Sequence, residues 1–133
     1  MTTPEDAPSR TRSRCLVVDD EPLMCRALKR LLADDHEVVC LTSAREALQR
    51  LSAGETFDVV LCDLSMPGMS GIDLYAEVRT AAPAMIPKFA FLTGGAMSAD
   101  AREFLANAPN PRLLKPFDAA ELRRVIDQIV TGR

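Results

Sequence analysis

Five short apolar runs, separated by segments with helical periodicity, are the feature of this sequence that most constrains its fold. The runs are RCLVVD (14–19), HEVVCL (36–41), FDVVLC (57–62), KFAFLT (88–93) and, more weakly, RLL (112–114). Several are apolar at consecutive positions, which indicates strands that are buried on both faces. A chain that alternates strands and helices in this way forms a parallel sheet covered by helices on both sides.

Five helical segments lie between and after the predicted strands. Three of them have apolar residues at i, i+3, i+4 and i+7, which predicts one buried stripe on each helix. These stripes are Met24, Ala27, Leu28 and Leu31; Ala44, Ala47, Leu48 and Leu51; and Leu122, Val125, Ile126 and Ile129. Ser43 with Glu46, and Asp118 with Glu121, have capping-box spacing, and Pro22 suits a first helical turn.

The length of the chain fits one domain. With 133 residues, 47% of them hydrophobic, such a domain buries roughly two-thirds of its unfolded surface. A doubly wound sheet is favoured over a barrel, which needs eight strand and helix units. Residues 1–13 are polar, carry both charge signs and contain two prolines, so we expect a disordered leader. The folded domain is expected to span residues 14–131.

Charge and hydropathy exclude several classes of function. A formal net charge of −3 lacks the basic excess that attracts phosphate backbones or anionic lipid. The chain has no apolar run as long as a membrane span and no hydrophobic region typical of a secretory signal. We therefore expect a cytoplasmic protein that contacts neither nucleic acid nor membrane directly.

The cysteines and the single histidine do not have the spacing of a metal site. Cys15, Cys25, Cys40 and Cys62 all lie within apolar segments, and buried reduced thiols are the simplest interpretation. His36 begins a predicted strand and has no neighbour at ligand spacing. We expect it at the surface or at an edge of the sheet.

Polar residues follow the predicted strands in a consistent place. Asp19 and Asp20 close the first strand, Asp63 follows the third, Thr93 ends the fourth and Lys115 follows the fifth. In doubly wound sheets the functional site lies at the carboxyl ends of the strands. The sequence therefore predicts one polar site at that edge.

The segments around these residues resemble the receiver domain of response regulators in two-component signalling. They are VVDDE, CDLSMPGMSG, FLTGG and LLKPF, and the spacings from Asp63 to Thr93 and to Lys115 are 30 and 52 residues, typical of that family. The resemblance runs from about residue 14 to 131. It implies a flavodoxin-like sheet of five parallel strands in the order 2-1-3-4-5 with five helices, and thus neighbouring first and third strands.

This strand order crowds Asp19, Asp20 and Asp63. Two unit charges 4 Å apart repel by about 4 kcal/mol at an effective dielectric constant near 20. A small, hard divalent cation relieves this repulsion, and Mg²⁺ suits a site of carboxylates and phosphate oxygen. The resemblance implies Asp20, Asp63 and the backbone carbonyl of Ser65 as direct ligands, with Asp19 acting directly or through water.

Asp63 is the best candidate for a nucleophile that accepts a phosphoryl group, because a carboxylate is already ionised at neutral pH. Lys115 and the Thr93 hydroxyl are placed to bind phosphoryl oxygens, and Gly94 and Gly95 leave room for a donor. The resemblance also implies a cis peptide bond before Pro116. A sensor histidine kinase, a histidine phosphotransfer protein or both are the implied partners. The chain would catalyse only its own phosphorylation and dephosphorylation.

Two alternative functions remain open. A receiver could regulate by contact alone, and Arg112 favours this reading because many receivers carry Tyr or Phe three residues before the lysine. A phosphatase with an aspartate nucleophile is disfavoured, since Ser65 stands where that class has a general acid. IVTGR lies within and after the last predicted helix, so we expect no output domain, and a stand-alone receiver, a phosphoryl shuttle or a domain of a hybrid histidine kinase are the contexts that the resemblance implies.

Overall fold

A five-stranded parallel sheet forms the centre of the computed structural model, which describes residues 12–95 and 97–132. The strands lie in the order β2-β1-β3-β4-β5, and every neighbouring pair is parallel. Their bounds are β1 Ser13–Val18, β2 His36–Leu41, β3 Val59–Asp63, β4 Phe89–Thr93 and β5 Arg112–Leu114. The predicted fold class and strand order are therefore confirmed.

In the described residues, five α-helices connect and follow these strands, as predicted. They are α1 Pro22–Leu32, α2 Ala44–Ser52, α3 Gly71–Ala81, α4 Ala99–Asn107 and α5 Ala119–Thr131. A sixth, 3₁₀ helix over Pro83–Lys88 was not predicted. Its sequence PAMIPK has no helical repeat of apolar residues, and Pro87 lies inside it, so periodicity did not reveal it.

The sheet is buried on both faces because alternate strand residues enter two separate cores. Leu16 and Val18 of β1 pack in the core that contains residues of α2, α3 and α4. Cys15 and Val17 pack in the other core, with α1 and α5. This arrangement explains why β1 and β3 are apolar at consecutive positions.

The stripe predicted for α1 is right at Leu28 and partly right at Met24 but wrong at Ala27 and Leu31, whereas those of α2 and α5 hold. Cys25, Leu28 and Leu32 are the buried residues of α1, while Leu31 is 39% exposed and Ala27 is also exposed. The predicted set of residues, which includes Leu31, and the observed set, which includes Leu32, are both largely apolar. Periodicity alone therefore could not distinguish the core face of α1 from its outer face.

Polar side chains cap the first turns of α2, α3 and α5. The Ser43 hydroxyl accepts a hydrogen bond from the backbone N–H of Glu46. Asp118 and Glu121 form both bonds of a capping box. Ser70 and Asp73 form another at the start of α3, and this one was not predicted.

The structure also tests the expectations for the start of the chain, the cysteines and the histidine. Residues 1–11 of the predicted leader lie outside the described residues, and Ser13, its last residue, is the first residue of β1.

All four cysteines are free. Burial raises the pKa of Cys15 and of Cys25 to about 12, so both are protonated thiols at neutral pH. His36 begins the edge strand β2, as expected, and its Nδ1 accepts the Ser13 N–H.

In the part of the chain that the structure describes, none of the helices has the length and apolar character needed to cross a membrane.

Candidate functional site

The carboxyl ends of four strands bring the predicted site residues to one edge of the sheet. Asp19 and Asp20 directly follow β1, Asp63 is the last residue of β3 and Thr93 is the last residue of β4. Lys115 directly follows β5, and its backbone N–H donates to the Thr93 carbonyl at 2.7 Å. All five predicted side chains therefore belong to the same edge.

The three aspartates form a close acidic cluster. One carboxylate oxygen of each residue lies within 4.8 Å of the other two. Asp19 is completely buried and Asp63 is 7% exposed, while Asp20 is partly exposed. Burial limits screening by water, so the carboxylates repel one another strongly.

Lys115 partly neutralises this cluster. Its Nζ lies 3.1 Å from Asp19 Oδ2 and 3.5 Å from Asp63 Oδ2. Burial by itself lowers the pKa of Lys115, but the hydrogen bond to Asp19 and the attraction of both carboxylates outweigh it and raise that pKa. The ion pair with Asp19 was not predicted from the sequence. The bond between Lys115 and Pro116 is cis, in agreement with the resemblance.

The carboxyl group of Asp63 is held in a fixed orientation. Its Oδ1 accepts the backbone N–H of Ser65 at 3.2 Å, and its Oδ2 faces Lys115. Burial, followed by repulsion from Asp19, raises the pKa of Asp63, against the opposing effects of Lys115 and the Ser65 N–H. The ionised form of Asp63 is therefore destabilised relative to water, and cations stabilise it.

Gly71 allows α3 to begin directly against the end of β3. Its N–H donates to the Leu64 carbonyl at 3.1 Å. A Cβ at this position would lie 2.9 Å from Leu64 Cα and closer still to the Asp63 carbonyl oxygen. Gly71 is thus required for the backbone around Asp63, and sequence reasoning missed it. The sequence signal that could have indicated it is a glycine directly after a capping serine, as the first residue of a helix.

Arg112 lies outside the cores. It is exposed, and its guanidinium donates to the Ala108 carbonyl at 3.2 Å. Aromatic packing near β4 comes instead from Phe91, Tyr75 and Phe104. The Phe91 ring centroid lies 5.1 Å from that of Phe104 and 5.2 Å from that of Tyr75, both edge to face. The inward aromatic position of many receivers is therefore not filled from β5.

The donor set fits a hard divalent cation. Three carboxylates converge, and Lys115 forms ion pairs with the two that are buried, Asp19 and Asp63. Mg²⁺ prefers oxygen ligands of this kind and retains several waters. Water can reach the site beside Asp20, because Asp20 is partly exposed. Ser65 lies beside Asp63 through its N–H bond, and its carbonyl remains a predicted ligand.

Replacement of Asp20 by asparagine is expected to raise the melting temperature of the metal-free protein and to weaken Mg²⁺ binding. The change removes one of three clustered negative charges while preserving the shape of the side chain. Thermal melts with and without Mg²⁺ check both effects. A variant that melts lower without metal and binds Mg²⁺ normally would refute the prediction.

Comparison with known proteins gives consistent matches. Residues 15–127 match the family model for the response regulator receiver domain. The chain is 33% identical over 118 residues to chemotaxis protein CheY-3 of Vibrio cholerae, covering 87% of this chain and 90% of CheY-3. It is 34% identical over 122 residues to response regulator protein FleR of Pseudomonas aeruginosa, covering 91% of this chain but 25% of FleR.

Several relatives are much longer than this chain. Matches to HoxA of Bradyrhizobium diazoefficiens and RpfC of Xanthomonas campestris cover 13% and 10% of those proteins. Among solved structures, the receiver domain of sensor histidine kinase PA1611 from Pseudomonas aeruginosa PAO1 is similar, with a TM-score of 0.79 and 24% identity. The match covers 91% of this chain and 99% of that one, which holds a magnesium ion in its active site cleft.

Proposed function

The chain belongs to the response regulator receiver domain family of two-component systems, and from that premise we propose that Asp63 accepts a phosphoryl group from a phosphohistidine donor. The observation that carries the proposal is the position of the Asp63 carboxylate. It lies at the open edge of the sheet, 3.5 Å from the Lys115 ammonium and within the acidic cluster. A nucleophile, a cation and a set of metal ligands meet there.

In the transfer, a carboxylate oxygen of Asp63 attacks the phosphorus of the phosphohistidine. A P–O bond forms, the P–N bond breaks, and the imidazole nitrogen keeps the electron pair of the broken bond. The product is an acyl phosphate on Asp63 and a free histidine on the donor. The reverse reaction, or attack by water, removes the phosphoryl group again. Because the nucleophile is already ionised, no general base is needed.

Catalysis then depends on positioning and on neutralising charge. Lys115 lies close enough to Asp63 to pair with a phosphoryl oxygen, and its ion pair with buried Asp19 holds the ammonium in place. The Thr93 hydroxyl, on the neighbouring strand end, is the proposed donor to a second phosphoryl oxygen. Gly94 and Gly95 are exposed, and a Cβ at either would meet no atom within 4 Å, which leaves room for the donor.

We assign Mg²⁺ as the cofactor, with Asp19, Asp20, Asp63 and the Ser65 carbonyl as its protein ligands. The magnesium-containing receiver of PA1611 supports this assignment by analogy. When bound, the ion supplies positive charge to the carboxylates and to the phosphoryl oxygens.

The proposed partners are a sensor histidine kinase, a histidine phosphotransfer protein or both, acting in the cytoplasm, where free thiols such as those present here persist. A protein that brings a histidine to Asp63 must cover the surface around the site. Leu23, near the start of α1, is 71% exposed and follows Asp19 and Asp20 closely. Together with Arg26 and Ala27 it forms an apolar and basic surface beside the site.

Leu23→Glu is expected to slow transfer from the donor protein about tenfold, or about 1.4 kcal/mol, because an exposed apolar anchor at an interface is lost. Phosphorylation by acetyl phosphate should be unchanged. Transfer kinetics with a purified phosphorylated donor measure the effect. Leu31→Glu is the matched control, since Leu31 is an exposed leucine at the far end of the same helix. Equal losses in both variants would contradict this docking surface.

Ser65 continues to weigh against a phosphatase. Its side chain is a hydroxyl rather than a carboxyl acid, and its N–H is bonded to Asp63, so an acid to protonate a leaving alkoxide is not supplied from this position. Regulation by contact alone is favoured by the outward position of Arg112. A receiver that regulates by contact alone would not need the ion pairs of Lys115 with Asp19 and Asp63. These ion pairs therefore favour phosphoryl transfer over that alternative.

The experiment that tests the proposal is intact mass spectrometry after incubation with acetyl phosphate, with and without Mg²⁺. We expect a gain of one phosphoryl group that depends on Mg²⁺ and is removed by hydroxylamine, which cleaves acyl phosphates. If no gain is seen, beryllofluoride binding separates a short-lived phosphate from an inert site. Failure of both would leave regulation by contact alone as the function.

A further inference from the structure

Two of the four cysteines meet between a helix and an edge strand. Cys25 lies on α1 and Cys40 on β2. The Cys40 thiol donates to the Cys25 carbonyl at 3.3 Å, which places the Cys40 sulfur against the backbone of Cys25. The function proposed above uses neither residue.

The environments of the cysteines distinguish this pair from the others. Cys15 and Cys62 are completely buried within the sheet. Cys40 is the one cysteine that is partly exposed, and it lies on β2 at the edge of the sheet. Cys25 is 4% exposed and lies behind it. A small oxidant can therefore reach Cys40 first, with Cys25 adjacent as a second thiol.

We propose that Cys25 and Cys40 are an oxidisable dithiol that a hydroperoxide converts into an intramolecular disulfide joining α1 to β2. The Cys40 sulfur attacks the peroxide, the O–O bond breaks, and a sulfenic acid and one water are formed when hydrogen peroxide is the oxidant. The Cys25 sulfur then attacks the Cys40 sulfur, and the sulfenic hydroxyl leaves as a second water with the Cys25 proton. Two thiols are oxidised and one peroxide is reduced.

This dithiol adjoins the acidic site. The Cys25 thiol also donates to the Asp19 carbonyl at 3.5 Å, and the Asp19 N–H donates to the carbonyl of Leu41, the residue after Cys40. Disulfide formation removes the Cys25 S–H donor from the segment that carries Asp19 and Asp20. The modification site therefore lies directly beneath the loop between β1 and α1.

The test treats the reduced full chain, at a dilution that disfavours dimers, with hydrogen peroxide. Denaturation and alkylation of the product should then label two thiols instead of the four that are free in the reduced chain. Trypsin leaves Cys15 and Cys25 in one peptide, residues 15–26, so a second cleavage on the amino side of Asp19 or Asp20, by endoproteinase Asp-N, is needed to separate them. The expected cross-linked product joins the fragment with Cys25 to the fragment with Cys40.

Four alanine variants identify the pair. Cys25→Ala and Cys40→Ala should each lose the cross-link, and Cys25→Ala should retain a sulfenic acid on Cys40 that dimedone traps. Cys15→Ala and Cys62→Ala should still form the cross-link between Cys25 and Cys40. The reducible link closes a loop between residues 15 positions apart, so it should raise the melting temperature.

Three results would overturn the proposal. One is a cross-link that involves Cys15, Cys62 or a second chain. Another is a cross-link that persists in Cys40→Ala. The third is retention of all four thiols at a peroxide concentration that oxidises free dithiothreitol in a parallel sample.

Discussion

Asp63→Asn should abolish phosphoryl acceptance completely while preserving the fold. The amide has nearly the shape of the carboxylate but no anionic oxygen to attack phosphorus. Intact mass spectrometry with acetyl phosphate and Mg²⁺ should show no phosphoryl gain in the variant. Asp34→Asn, which changes an exposed carboxylate distant from the site in sequence, is the control and should behave as the wild type.

The same substitution should change how stability depends on pH in the metal-free protein. The pKa of Asp63 is raised in the folded state, chiefly by burial and then by Asp19, so the folded state binds this proton more tightly than the unfolded state. Asp63 therefore favours folding below its ordinary pKa of 3.8, and this advantage is lost as pH rises through the raised value. Denaturant melts at a series of pH values across this range should show that the free energy of unfolding falls less with rising pH in Asp63→Asn than in the wild type.

A phosphoryl gain in Asp63→Asn would show that another residue is the acceptor. A gain that hydroxylamine does not remove would indicate an ester of serine or threonine rather than an acyl phosphate. Either result would contradict the assignment of Asp63, even if the pH dependence behaved as expected.

Gly71→Ala should destabilise the protein by about 3 kcal/mol, because overpacking against backbone is costly. The new Cβ would overlap the Asp63 carbonyl and crowd Leu64 Cα. Neither backbone group can move without shifting the end of β3 or the start of α3. We expect a fall in melting temperature of about 10 °C and weaker Mg²⁺ binding in the fraction that folds.

Gly94→Ala is the matched control for stability. It also replaces a glycine near the site, but its Cβ meets no atom within 4 Å, so its melting temperature should change little. Equal destabilisation of the two variants would show that loss of glycine flexibility, rather than the close approach at Gly71, causes the effect.

The fold was largely predictable because buried parallel strands and helix caps have local signals. The apolar strands, the Ser43 cap and the Asp118 and Glu121 capping box all act within a few residues. The position of Asp19, Asp20, Asp63, Thr93 and Lys115 at one edge also followed from strand ends in a doubly wound sheet.

What could not be predicted depends on contacts between distant segments. The bond between Lys115 and Asp19 joins residues 96 positions apart, and the sequence contains no pattern that pairs them. The role of Gly71 depends on the distance between α3 and the end of β3. The core face of α1 was ambiguous because Leu31 and Leu32 are both apolar, and only packing against β1 and β2 selects Leu32.

The direction of the strands has a consequence for how this domain can be joined to others. Ser13 begins β1, and Gly132, just after α5, lies in the same groove as Lys88 and Pro111, which directly precede β4 and β5. Both ends of the described chain thus emerge at the edge opposite Asp63. Polypeptide fused at either end would start away from Asp63, which makes the fold suitable as one unit of a larger architecture such as the longer relatives that it matches.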